Sequence, residues 1–98
     1  MLLLVPASLT NESPDQTVHE GSNLQLLCEA TGKPTPNTTW TRVLENDSKS
    51  EVLYQGPTLD FPNINRSASG TYRCTADNRF GNPVSHEVKV NVTCKYFT

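Results

Sequence analysis

The sequence lacks the features of a membrane-spanning segment and of a nucleic-acid-binding surface. Its longest apolar run, Leu2-Leu3-Leu4-Val5, is far shorter than the roughly 20 residues that a membrane-spanning helix needs. The net charge of -2 and the pI of about 5.5 leave no basic stripe that could follow a phosphate backbone. We therefore expect neither direct membrane insertion by this segment nor a nucleic acid partner.

Residues that serve catalysis or metal binding are also scarce. His19 and His86 are the only two histidines, and neither has a cysteine or carboxylate at the spacing of metal ligands. His86 follows Ser85 in a predicted strand, where adjacent side chains point to opposite faces, so the two cannot act as base and nucleophile. The sequence has no glycine-rich phosphate loop. We expect a non-enzymatic chain that holds no metal and no other cofactor.

The chain is long enough for one domain with one modest core. It has 98 residues and no internal repeat, so we assign residues 1–98 to a single domain. The apolar run at residues 2–5 is either the tail of a signal peptide or a first strand. It lacks a basic start and is shorter than the usual apolar region of about 7–15 residues, which favours the strand. In both cases we expect a piece of a longer protein.

Alternation of apolar and polar residues predicts an all-β architecture. One strand carries Leu24, Leu26, Cys28 and Ala30 on a single face. The last strand places valines inward at 88, 90 and 92 and polar residues outward at 87, 89 and 91. Shorter strands are expected at 38–43, 51–54 and 58–61. Turn signals recur between them at short intervals, which is typical of a sandwich.

The order of four residues carries a family signal. Trp40 lies between Cys28 and Cys74, and Tyr72 precedes the second cysteine by two positions. This order is typical of the immunoglobulin sandwich. Together with the motifs at 20–24, 26–30, 32–36, 59–61 and 70–81, it resembles the intermediate-set (I-set) immunoglobulin domains of cell-adhesion molecules and receptor ectodomains. The resemblance covers about residues 5–93, and residues 94–98 are then a boundary or a linker to a following segment.

The resemblance implies a two-sheet Greek-key sandwich with a defined core. A Cys28–Cys74 disulfide would join the two sheets, with Trp40 packed on it. Leu26 and Leu59 would complete the core. The Tyr72 hydroxyl would bond back to the chain at a corner. Only 18 residues separate Trp40 from Leu59, which is too few for the two additional strands of a variable-type domain.

The residue at position 68 departs from the family pattern. The family usually has Asp two residues before the glycine that precedes Tyr72, and here that residue is Ala68. Such an Asp commonly forms an ion pair with a basic residue. That ion pair is therefore in question for this chain.

The sequence is rich in sites for N-linked glycosylation. Five Asn-x-Ser/Thr sequons start at Asn11, Asn37, Asn46, Asn65 and Asn91. Roughly two would be expected by chance from this composition, so five exceed that number for this acceptor motif. Pro14 follows the first sequon and should weaken it. The pattern predicts an extracellular chain, either secreted or at the cell surface.

Cys94 is the odd cysteine of the chain and lies just past the last predicted strand. Three interpretations are open. It is a free thiol exposed by truncation, a link to another chain, or half of a bond to a neighbouring domain.

Two functions compete. The first is a recognition module of an adhesion molecule or receptor, which binds a protein partner homophilically or heterophilically. The second is a structural spacer that contacts only neighbouring immunoglobulin-like domains. A third function, an intracellular muscle-type domain, is disfavoured by the sequons and the expected disulfide. The predicted outward residues of three central strands are polar: Thr39, Thr41, Arg73, Thr75, Glu87 and Lys89.

A binding candidate lies in the predicted hairpin turn at 77–82. The family fold places this turn at the same end of the sandwich as residues 32–36. Arg79 next to Phe80 has the composition of an interface hot spot. Alternatively, Phe80 covers the base of its own loop or packs on a preceding domain.

Overall fold

The computed structural model describes residues 3–44 and 50–94. This part of the chain forms eight strands and one turn of 3₁₀ helix. The strands are β1 (Val5–Glu12), β2 (Gln16–His19), β3 (Leu24–Lys33), β4 (Asn37–Val43), β5 (Ser50–Gln55), β6 (Thr58–Phe61), β7 (Gly70–Asp77) and β8 (Val84–Thr93). The 3₁₀ turn, Arg66–Ala68, lies between β6 and β7.

The strands form two sheets. One sheet has three strands in the order β1-β3-β6, and the other has five in the order β2-β8-β7-β4-β5. Neighbouring strands are antiparallel except β2 and β8, which are parallel. The predicted all-β, two-sheet sandwich is therefore confirmed. Between β4 and β6 the described residues form the single strand β5, and the I-set subtype itself stays a prediction.

The chain changes sheets between β1 and β2. At Ser13 the hydroxyl oxygen accepts a 2.8 Å hydrogen bond from the backbone nitrogen of Leu27, in the three-stranded sheet. Two residues later the Asp15 carboxylate accepts a 2.8 Å bond from the backbone nitrogen of Lys89, in the five-stranded sheet. Pro14 lies between them and cannot donate to a ladder. These contacts attach the crossover to both sheets.

The core lies between the sheets and contains the predicted residues. The predicted disulfide joins Cys28 of β3 to Cys74 of β7, with an S–S distance of 2.05 Å. Trp40 is fully buried, and its indole nitrogen donates to the backbone oxygen of Pro57 at 3.2 Å. Other buried members of this core are Leu24, Leu26, Leu59, Ile64, Tyr72, Val88, Val90 and Val92.

The corner before β7 is held without the usual ion pair. The Tyr72 hydroxyl donates to the backbone oxygen of Ala68, which closes the predicted corner. The Arg42 guanidinium donates to the backbone oxygens of Ser67 at 2.8 Å and Ser69 at 3.0 Å. It also lies 5.6 Å from the centre of the Tyr72 ring. Arg42 therefore stabilises the corner through carbonyl groups, with alanine at the usual aspartate position.

Candidate functional site

The described residues place the histidines in structural contacts. His19 Nδ1 lies 2.8 Å from the Thr93 hydroxyl, and His86 Nε2 lies 3.0 Å from the backbone oxygen of Ser13. Within residues 3–44 and 50–94, no group of three or more His, Cys, Asp or Glu side chains could hold a metal ion. The same residues contain no helix of the length and apolarity that crossing a membrane requires.

Large exposed apolar side chains occur in two regions of the described surface, and one further residue, Leu44, directly follows β4. The large ones are Leu3, Leu4, Leu44, Val52, Tyr54 and Phe80. Isolated apolar residues are normal on a protein surface, whereas adjacent exposed apolar residues indicate a binding surface. Val52 and Tyr54 are neighbours on β5, while Leu3, Leu4 and Phe80 lie at one end of the sandwich.

The tip loop, residues 78–83, contains the predicted binding candidates. Its base is the buried side chain of Asn78, whose Nδ2 donates to the backbone oxygens of Val5 at 2.7 Å and Pro34 at 3.0 Å. The loop therefore lies at the same end as residues 34–36, as expected. Leu3 and Leu4, which are 63% and 43% exposed, precede Val5 and lie at this end too.

Side chains also fix the backbone of the tip loop. The Asp77 carboxylate accepts from the backbone nitrogen of Arg79 at 2.8 Å, and Asn78 Oδ1 accepts from that of Phe80 at 3.2 Å. Arg79 and Gly81 have φ angles of 62° and 75°, the left-handed region that suits Gly81. Phe80 is 36% exposed, so part of its ring reaches solvent. The loop is preformed, and the alternatives for Phe80 both stay predictions.

The edge pair, Val52 and Tyr54, is a surface that the sequence analysis missed. Both side chains are exposed, at 60% and 52%, while Leu53 between them packs against the core. The pairing with β4 is irregular between the two residues: Val52 lies opposite Thr41 and Tyr54 lies opposite Trp40, so a β-bulge at Leu53 leaves both side chains exposed at the edge of the sheet. Strand β5 pairs only with β4 in that sheet. The expectation of polar outward residues concerned only the three central strands and did not extend to this edge.

Tyr54 has a defined position on this edge. Its ring lies against the backbone of Gly56, where an added Cβ would come within 2.6 Å of Tyr54 Cε2. Gly56 has a φ of 151°, which also disfavours a side chain. The backbone thus supports one part of the ring and leaves half of the side chain in solvent. An aromatic side chain with few available rotamers loses little entropy when a partner covers it.

The rest of the outward face is polar. Arg73 of β7 and Glu87 of β8 form an ion pair, with Arg73 Nε 2.9 Å from Glu87 Oε2. Such a pair at the surface contributes little to stability. It gives the centre of the face both signs of charge beside the apolar edge pair.

Four of the five glycosylation asparagines lie on the described surface, and Asn46 is outside the described residues. The four are all exposed: Asn11, Asn37, Asn65 and Asn91. Asn37 and Asn91 belong to the five-stranded sheet, and Asn11 belongs to β1 of the other sheet. Asn65 precedes the 3₁₀ turn. Their exposure leaves room for a glycan, and the modification itself stays a prediction.

Cys94 is exposed and takes part in no disulfide among the described residues. Its three interpretations therefore stay open.

The chain matches the family model for the immunoglobulin domain over residues 6–78. It is 37% identical over 94 residues to the limbic system-associated membrane protein of Rattus norvegicus, covering 94% of this chain and 27% of that protein. It is 40% identical over 80 residues to neuronal growth regulator 1 of Gallus gallus, covering 82% of this chain and 22% of that protein. The chain thus spans about a quarter of the length of the curated relatives it matches.

A solved structure agrees with these relatives. The crystal structure of Dpr11 IG1 bound to DIP-gamma IG+IG2 superposes with a TM-score of 0.80 at 34% identity, covering 92% of this chain and 49% of that one. The predicted resemblance is confirmed by the family match, the relatives and this likeness together. The chain belongs to the immunoglobulin domain family.

Proposed function

We propose that this chain is an extracellular, non-catalytic recognition module of a cell-surface adhesion protein, and that it binds another protein homophilically or heterophilically. The names of its relatives support the setting, since one is a membrane protein of the limbic system. The Dpr11 and DIP-gamma complex joins two proteins with immunoglobulin domains. By this analogy the partner is an immunoglobulin-domain protein. Residues 5–93 form the domain, and residues 94–98 lead to a following segment.

The observation that carries this proposal is the exposed edge pair. Val52 and Tyr54 lie close together on β5, and each exposes more than half of its surface to solvent. Tyrosine is enriched in protein interfaces because it combines a large apolar ring with a polar end. A buried aromatic anchor of this kind typically costs about 2 kcal/mol or more of binding energy when it is truncated.

The predicted glycan at Asn91 would be attached away from the edge pair. Asn91 lies on β8, and two strands, β7 and β4, separate it from β5. Strands are spaced about 4.8 Å apart, so the distance across the face is roughly 14 Å. Asn37 lies at the first position of β4.

The tip loop is a second candidate surface for the same function. Arg79 and Phe80 project from a loop whose backbone is held by Asp77 and Asn78. A preformed loop avoids the ordering cost that a flexible one incurs on binding.

The alternative function is a spacer domain, and one observation favours it. Exposed apolar surface occurs at the end of the sandwich where the chain enters β1, and it is formed by Leu3, Leu4 and Phe80. A preceding domain would cover such a surface. In that case the tip loop supports the neighbouring domain and binds no separate partner.

Adhesion of cells that carry the full-length protein tests the function. The edge variant combines Val52→Thr with Tyr54→Ser, and the tip variant combines Arg79→Ala with Phe80→Ala. Glu51→Gln is the matched control, because it changes another exposed residue of β5. We expect the edge variant to lose adhesion, both to like cells and to cells of the source tissue, with an unchanged melting temperature. If the folded edge and tip variants both adhere like the parent, the recognition function is wrong and the spacer function is favoured.

A further inference from the structure

An open groove lies beside Asn37, on the flank of the sandwich between the two sheets. This Asn37 groove has a volume of about 480 Å³, within the ~300–1,000 Å³ range of pockets that hold small organic ligands. Pro36 and Pro57 supply apolar rings, and Glu29 and Gln55 supply polar side chains. Its lining thus combines apolar surface with hydrogen-bonding groups.

The back of the Asn37 groove is fixed to the core. The backbone oxygen of Pro57 accepts from the backbone nitrogen of Cys28 at 2.8 Å and from the Trp40 indole at 3.2 Å. The backbone nitrogen of Gly56 donates to the oxygen of Thr38 at 2.8 Å. The wall formed by residues 55–57 is therefore held next to the disulfide and the buried tryptophan. A ligand would meet a groove that exists before binding.

We propose that an N-glycan on Asn37 folds into this groove and packs its first N-acetylglucosamine units against Pro36 and Pro57. The inference rests on the extracellular location in the proposed function, because the glycan is attached in the secretory pathway. In that reaction Asn37 Nδ2 loses a proton and bonds to the anomeric carbon of a lipid-linked oligosaccharide, whose pyrophosphate group leaves.

The chemistry of the sugar matches the groove. A pyranose ring has an apolar face of C–H groups and a rim of hydroxyls, and the acetamido group adds a methyl and an amide. The proline rings suit the apolar face, while Glu29 and Gln55 can bond with hydroxyl and amide groups. Because Asn37 itself lines the groove, the attached sugar is held at a high effective concentration.

Docking would also set the direction in which the glycan runs over the domain. The Asn37 groove extends from β4 past the β5–β6 turn to Glu29 and Ala30 of the three-stranded sheet. A glycan along this path lies over the flank of the sandwich.

The first test compares two forms of the full-length protein made in a secretory host. One keeps only the Asn37 sequon and has Asn→Gln at the other four acceptors, and the matched control keeps only Asn91. Glycopeptide mass spectrometry measures occupancy, and thermal melting is recorded before and after enzymatic glycan removal. We expect removal to lower the melting temperature of the Asn37 form by at least about 3 °C, and that of the Asn91 form by less than about 1 °C.

The second test removes one groove contact. Gln55→Ala should reduce the melting-temperature gain of the glycosylated Asn37 form and leave the glycan-free form unchanged. Glu51→Ala is the control on the same strand, remote from the groove. The Trp40 indole resonance should shift on glycan removal because Pro57 is both its acceptor and part of the groove.

Three results would overturn the docking inference. In the first, Asn37 is unmodified while other sequons are occupied. In the second, Asn37 is occupied but glycan removal leaves the melting temperature unchanged, and in the third the Asn91 control shows an equal change in melting temperature. Each leaves the recognition function standing. If none of the five sequons is occupied, the extracellular location fails along with the docking, so the two failures are distinguishable.

Discussion

Arg42 illustrates how a single side chain replaces a missing acidic residue. Ala68 stands where the family usually has an aspartate that pairs with a basic residue. In this structure the Arg42 guanidinium donates to the backbone oxygens of Ser67 and Ser69 instead. Hydrogen bonds from charged groups contribute more than those between neutral groups, at about 1.5–3 kcal/mol. The sequence could not predict this arrangement, because a backbone carbonyl carries no residue identity.

Replacing Arg42 should therefore destabilise the domain. We expect Arg42→Ala to lower the free energy of unfolding by about 2 kcal/mol, since the corner loses two charge-assisted bonds. Arg66→Ala is the control, because Arg66 pairs with Glu20 at the surface with 65% of its side chain exposed, and it should cost less than about 1 kcal/mol. Urea denaturation measures both. Equal losses in the two variants would show that the carbonyl contacts are unimportant.

Tyr72 should make stability fall at alkaline pH. Burial raises the pKa of its hydroxyl above 10.0, and the nearby Arg42 charge opposes this in part. The unfolded state, with the lower pKa, loses this proton first. The contribution of Tyr72 to the free energy of unfolding is therefore complete below about pH 10 and declines as the pH rises through the pKa of the folded state. Urea denaturation at about pH 9 and pH 11 should show a larger decline for the parent than for Tyr72→Phe, and a parallel decline would contradict this.

At the scale of elements, the strands with regular alternation were predicted well and the edge strand was predicted incompletely. Val88, Val90 and Val92 of β8 are buried as the pattern indicates. For β5 the sequence predicted a short strand but not which residues face solvent. The exposure of Val52 and Tyr54 became evident only from the packing of Leu53 against the core and from the irregular pairing of β5 with β4.

Asn78 controls the tip loop through contacts that are distant in sequence. Its amide bonds to Val5 and Pro34, which are 73 and 44 residues away, and its oxygen holds the Phe80 nitrogen. No local pattern reveals such a role.

Asn78→Ala should therefore destabilise the domain by about 2–3 kcal/mol, because it leaves two backbone oxygens at the base of the loop without their donor. Hydrogen exchange at Phe80 should also accelerate. Asn82→Ala, at an exposed position of the same loop, should change neither quantity measurably. An Asn78 variant with parental stability and exchange would show that the loop keeps its form independently.

At the scale of the whole molecule, the disulfide connects the two sheets, and the cysteine order predicted it because the fold brings Cys28 and Cys74 together. Their separation is 46 residues. Closing a loop of this length in the unfolded chain contributes about 4 kcal/mol in the chain-entropy account. We expect the double variant Cys28→Ala, Cys74→Ala to lose about that amount in guanidinium denaturation. A loss below about 1 kcal/mol would contradict the entropic account.

The sequence also predicted the family and an adhesion setting, because the cysteine, tryptophan and tyrosine spacing is specific for the sandwich. It did not indicate the proposed edge-pair surface, since that surface depends on which side chains remain exposed after two sheets pack. Val52 and Tyr54 are ordinary strand residues until β5 becomes the edge of the five-stranded sheet. A surface site of this kind is specific to one domain of a fold that serves many functions.

The most direct measurement of the recognition function is the affinity of the complete ectodomain for cells that display its partner, compared between the parent and Tyr54→Ser. The account predicts an affinity loss of about 30-fold or more, which corresponds to the roughly 2 kcal/mol of a buried aromatic anchor, with an unchanged melting temperature. An unchanged affinity in a fully folded Tyr54→Ser ectodomain would contradict the assignment of the edge pair as the recognition surface.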